Sequence, residues 1–126
     1  MKRSETACVI WSLLTFSAIR RQTLTYPLLA QLIGVSRKDL ARQLEPIQSY
    51  CILANLPPLT SIVVDAQSGV PGEGFIAATN LPRAQAETYS HDWLAQKVPT
   101  PEDFQHAMVT LPSCGLSLGE LLKQVL

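Results

Sequence analysis

The stretch Tyr26–Leu44, YPLLAQLIGVSRKDLARQL, holds two short helical patterns on either side of a glycine. Two helices that cross and lock need a small residue where they meet, a glycine in the turn, and apolar side chains between them. Ala30 is the small residue and Gly34 the turn glycine; Leu29, Ile33, Val35, Leu40 and Leu44 form the locking set. Thr25 is placed to cap the first helix, Pro27 is tolerated in its first turn, and Gly34 suits a left-handed terminator. Ser36 and Asp39 have capping-box spacing at the start of the second helix, with Asp in place of the usual Glu. The exposed face of that second helix carries Arg37, Lys38 and Arg42. Pro46 lacks a backbone N–H, so the pattern predicts that this helix stops or kinks there and that a further helix runs to about Ala54.

Residues Thr6 to Ile19 place Val9, Ile10, Leu13, Leu14 and Phe16 at helical spacing, with Trp11 flanking the stripe. Lys2 and Arg3 ahead of this uncharged run give it a superficial likeness to a signal peptide. Glu5 within the basic region and Arg20–Arg21 directly after the run favour a core helix, and the run is too short to span a bilayer. Downstream, Leu56-Pro57-Pro58-Leu59 reads as a rigid linker into a β-branched strand, Thr60 to Asp65. Gln67 to Gly74 reads as a turn, with Phe75 to Ala78 returning as a second strand. Pro71 limits how far that hairpin can pair. Helices are then predicted from about Arg83 to Lys97, from the capping box Thr100–Asp103, and from Ser117 onward. In the last of these, Leu118, Leu121, Leu122, Val125 and Leu126 form one apolar face, which would dock on the first helix or on a second subunit.

With 126 residues, 47% of them hydrophobic and 16% charged, the chain is neither disordered nor long enough for two ordinary domains. The expected fold class is mainly α with a small β-hairpin, in a single domain over residues 1–126. Three cysteines without CxxC spacing fit apolar thiols in a reducing cytoplasm. The net charge is zero but unevenly spread. In residues 1–42, seven cations face only Glu5 and Asp39, leaving +5; residues 43–126 carry the balancing −5. A basic half of this kind suggests a face for an anionic partner, while the neutral sum implies modest, salt-sensitive nucleic-acid binding.

The Tyr26–Leu44 stretch resembles the helix-turn-helix of bacterial repressors, whose recognition helix also opens with a GVSR-like phrase. Gln43 departs from that pattern, where an aliphatic residue is usual. A longer likeness covers about residues 9–75. The spacing from Tyr26 to Gly34, then LPPLTSIVV, then a GxPGEGF turn, is similar to the DNA-binding domain of alkylguanine-DNA alkyltransferases and alkyltransferase-like proteins. That family's Pro-Cys-His-Arg phrase is replaced by Leu59-Thr60-Ser61-Ile62, with Thr60 at the acceptor cysteine and Ser61 at the histidine. The resemblance therefore implies a winged-helix scaffold and not an activity. With the helices read beyond Asn80, the expected architecture is a winged helix-turn-helix core over residues 1–78 with a C-terminal helical extension over 79–126.

Other candidates for chemistry are weak. Cys51 lies in an apolar helical setting that favours a buried inert thiol. His91-Asp92 and His106 lack the further ligands of a metal site. Gly69 to Gly74 follows a strand, where a phosphate loop would open a helix, and Glu73 would repel an anion. Thr60 and Ser61 lack a recognisable base. The expectation is thus a non-enzymatic protein with no cofactor and no metal that binds double-stranded DNA. Ser36, Arg37, Lys38 and Gln43 would reach bases or phosphates, and Arg20, Arg21 and Arg42 would anchor the backbone. The alternative is a protein-interaction module of the same fold, from a bacterium or mobile genetic element. A homodimer is in keeping with DNA readers that bind two half-sites.

Overall fold

The computed structural model describes residues 1–71 and 80–112. Its elements are α1 (Arg3–Ile19), β1 (Leu24–Thr25), α2 (Tyr26–Ile33), α3 (Arg37–Leu53), a 3-10 turn (Leu59–Ile62), β2 (Val63–Val64), α4 (Leu81–Ser90) and α5 (Pro101–Thr110). The chain is mainly helical, with a small two-stranded sheet. β1 and β2 run parallel, Leu24 opposite Val63 and Thr25 opposite Val64. This corrects the strand expected over Thr60 to Asp65: its first half is a 3-10 turn, and its second half pairs with the segment before α2. Thr60, Ser61 and Ile62 are all buried in that turn. The expected return strand Phe75–Ala78 and the helix from Ser117 lie outside the described residues.

α1 buries Ala7, Ile10, Trp11, Leu14 and Ala18, a stripe at three- and four-residue spacing. The stripe is rotated from the expected one. Trp11 is central to it, whereas Phe16 is 61% exposed and Val9 is exposed too. The rotation follows from an aromatic cluster that α1 alone does not reveal. Trp11 meets Tyr50 of α3 and Trp93 edge-on, each with ring centroids 5.6 Å apart, and Phe104 of α5 at 6.0 Å. Edge-to-face geometry sets the positive rim of one ring against the negative face of another. The buried indole N–H of Trp93 donates to the Thr88 carbonyl at 2.7 Å, so the cluster leaves that donor satisfied.

α2, its turn and the start of α3 form as their sequence requires. The Thr25 hydroxyl accepts from the Leu28 N–H, and Gly34 takes φ +73°, its N–H returning to the Ala30 carbonyl at 2.9 Å. Ser36 caps α3 by accepting from the Asp39 N–H. Leu29, Leu40 and Leu44 are buried between the helices, Ala30 with them, and Ile33 and Val35 are half-buried.

α3 does not stop at Pro46 but runs unbroken to Leu53. Pro46 has no N–H for the carbonyl four residues earlier, that of Arg42. Arg3 of α1 supplies the missing donors: its Nε reaches the Arg42 carbonyl at 3.0 Å and its Nη2 at 2.6 Å. The same guanidinium pairs with the Glu45 carboxylate. The orphaned acceptor is thereby satisfied from another helix, and Pro46 is buried within a continuous α3.

α4 is shorter than the Arg83–Lys97 expected, ending at Ser90. Beyond it the chain turns so that Trp93 enters the core, and Asp92 Oδ1 accepts from the Ala95 N–H. α5 opens with the reciprocal capping box of Thr100 and Asp103. It closes against α3 through the Ser49 hydroxyl, which donates to the Leu111 carbonyl at 2.6 Å.

If Arg3 substitutes for the N–H of Pro46, the two residues are energetically coupled. Arg3→Ala should cost about 1.5–3 kcal/mol in denaturant unfolding, the range for hydrogen bonds to charged groups. The cost should fall clearly in a Pro46→Ala background, whose own N–H can serve the Arg42 carbonyl. Equal costs in both backgrounds would show the two residues to be independent.

Candidate nucleic-acid interface

Helical geometry sorts the residues expected to form the site. At about 100° per residue, positions four apart share a face, so Lys38 and Arg42 stand one above the other on α3. Both are exposed, and among the described residues neither makes an ion pair. Arg37 stands about 100° around the helix from Lys38 and is directed elsewhere. Its Nη2 pairs with Asp65 Oδ2 at 3.0 Å, across 28 residues of sequence. Gln43 is only half-exposed, and its side-chain carbonyl oxygen is buried with no hydrogen-bond partner. Ser36 is committed to its cap, its hydroxyl 3.0 Å from Asp39 Oδ2. The structure thus brings Lys38 and Arg42 together and turns Arg37 and Gln43 away from them.

Arg20 and Arg21 occupy a different place. They follow α1, with Arg20 over the ring of Phe16 at 5.6 Å and Arg21 in the left-handed region at φ 55°. At 1.5 Å per residue they lie roughly 25 Å along α1 from Arg3, the residue that touches Arg42. They are exposed but do not join the Lys38–Arg42 pair.

Asp65 is the residue that sequence reasoning missed. It follows β2 and heads a tight turn: its Oδ1 accepts from the N–H groups of Gln67 at 2.8 Å and Ser68 at 3.1 Å. Its own N–H donates to the Val70 carbonyl, and its carbonyl accepts from the Gly69 N–H, Gly69 having φ +72°. The Asp-Ala-Gln-Ser-Gly composition signals such a turn. Nothing local signals that the second carboxylate oxygen will meet Arg37. The two backbone N–H groups hold the Asp65 carboxyl below the usual aspartate range; partial burial opposes them, and Arg37 adds to the lowering.

The remaining candidates are buried or otherwise engaged. Cys51 is buried, and its thiol is pushed up to about 12 by loss of solvation. The Thr60 hydroxyl is buried without a partner, while the Ser61 hydroxyl lies 3.2 Å from that of Thr88. His91 stacks edge-on against Trp93 and bonds Gln96, whereas His106 is exposed on α5 beside Thr110. Among the described residues no helix is long and apolar enough to cross a membrane. No protein-family model, curated protein or solved structure matches the chain.

Two measurements check this electrostatic picture. A lowered carboxyl contributes stability above the usual aspartate range, and that contribution is lost as pH falls through the depressed value. Carboxyl carbon titration should therefore place Asp65 below an ordinary aspartate, and Arg37→Ala should raise it only part of the way. A return to the ordinary value would make the arginine, not the turn, its main cause. Thiol labelling of the native chain at pH 8, mapped by mass, should spare Cys51 until the protein is unfolded.

Proposed function

We propose that the chain is a non-enzymatic, cytoplasmic DNA-binding protein with a winged helix-turn-helix core. The observation that carries the reading is the α2–Gly34–α3 unit, whose second helix presents exposed Lys38 and Arg42 on one face near its N-terminal end. An α-helix fits the major groove, and its first turns are the part that reaches base edges in helix-turn-helix proteins. Lys38 and Arg42 are the side chains best placed to meet phosphates or bases. Arg20 and Arg21, at the far end of α1, would meet the backbone on a separate stretch of duplex.

A protein-binding module of the same fold, of bacterial or mobile-element origin, is the second reading. It draws on Leu28 and Leu32, which are 45% and 54% exposed one turn apart on α2. With the neutral net charge, such an apolar pair suits a protein partner better than a phosphate backbone.

Fluorescence anisotropy with a mixed-sequence DNA duplex, at low and moderate salt, separates the two. Wild type should bind at low salt and weaken as salt rises. The Arg37→Ala/Lys38→Ala/Arg42→Ala variant should bind more weakly, its log–log salt slope reduced by about 0.9 for each phosphate it no longer neutralises. Identical curves would remove α3 from the interface, and absence of binding at low salt would favour the protein-binding module.

A further inference from the structure

We infer that Asp65 holds Arg37 in reserve, acting as an internal stand-in for a DNA phosphate that must be displaced when the duplex binds. The inference rests on the DNA-binding reading above and assigns Asp65 a role in setting affinity. The two partners are held very differently. The Asp65 carboxylate is fixed, with Oδ1 engaged by the Gln67 and Ser68 N–H groups, so only Oδ2 faces the guanidinium. Backbone hydrogen bonds to Gly69 and Val70 fix its main chain as well. Arg37 reaches that oxygen through Nη2 alone, at 3.0 Å, and its side chain is 62% exposed. A long, exposed side chain on a fixed anchor is the partner able to leave.

The chemistry of the exchange is like for like. A guanidinium surrenders one carboxylate oxygen and gains phosphate oxygens, to which it can donate through two N–H groups at once. Arg37 is the first residue of α3, adjacent to Lys38 and five positions before Arg42. Swung off Asp65, its long side chain would add a third cation beside the face those two residues define, at the N-terminal end of α3. An exposed pair of this kind is weak enough for a phosphate to replace it. While the pair is intact it lowers the positive potential that free α3 offers, so the pairing is mildly autoinhibitory.

The test is a double-mutant cycle in duplex binding at low salt, with wild type, Asp65→Asn, Arg37→Ala and the double variant. Asparagine keeps a side-chain carbonyl for the Gln67 and Ser68 N–H groups, so the turn should survive, and circular dichroism and melting check that it does. Asp65→Asn should tighten binding by about twofold to fivefold, the worth of an exposed ion pair. The gain should vanish in the Arg37→Ala background. Weaker binding by Asp65→Asn would mean that the carboxylate positions Arg37 to meet DNA, which overturns the exchange. A gain that persists without Arg37 would show that Asp65 acts only as a background negative charge, which also overturns it. Absence of binding by all four proteins would instead overturn the DNA-binding reading, and the exchange with it.

Discussion

A carbonyl without its helical partner lies where α1 crosses α3. Pro46 denies the Arg42 carbonyl its hydrogen bond, and two N–H groups of Arg3 make good the deficit from α1. A buried proline in a helix interior ordinarily costs several kcal/mol, about 3 or more, through the missing bond and the ring's crowding of the preceding turn. Satisfying the acceptor from a second helix removes part of that cost and fixes where α1 crosses α3. Because Glu45 pairs with the same guanidinium, the crossing is held at two nearby points on α3.

Trp11 ties the helices to one another. It touches Tyr50 of α3, Phe104 of α5 and Trp93 from the turn after α4, so one side chain joins three helices and a loop. Its ring neighbours concentrate a large apolar area in a chain with few aromatics. α4 is held more through polar groups: the Thr88 hydroxyl donates to the Pro58 carbonyl at 3.1 Å, and the Gln85 amide donates to the Ser61 carbonyl at 2.9 Å. The 3-10 turn that replaces the expected strand is thus braced from one side by α4, and β2 beyond it pairs with β1. This seats the start of α2, and with it the α2–α3 turn.

The charge asymmetry of the sequence reaches the surface only in part. Of the cations in residues 1–42, Arg3 is engaged by the Arg42 carbonyl and Glu45, and Arg37 is held by Asp65. Both anions come from the acidic remainder of the chain. The +5 and −5 halves are therefore not two separate faces; they interlock at α3. What remains open on that helix is the Lys38–Arg42 pair, a smaller footprint than the composition suggests.

Local chemistry was legible where spacing alone marks the end of a helix. Thr25, Gly34 and the Thr100–Asp103 box each do in the structure what their spacing implies, because caps and left-handed turns are set within a few residues. Ser36 caps α3 as well, but the Asp39 carboxylate accepts from its hydroxyl instead of completing the expected box. The locking set of α2 and α3 was legible for the same reason, since helical periodicity alone assigns Leu29, Leu40 and Leu44 to the inner sides of their helices. Everything that depended on partners distant in sequence was not. The rotation of α1 toward Trp11, the passage of α3 through Pro46, and the conversion of Thr60–Ile62 from strand to turn each involve a group more than 20 residues away. The same holds for the candidate site. Sequence placed Ser36, Arg37, Lys38, Arg42 and Gln43 on one short segment, but only the tertiary fold decided that Asp65 would hold Arg37 and that the Gln43 carbonyl would be buried. Hydrogen bonds and ion pairs act over a few ångströms of space, and separation along the chain does not determine that distance.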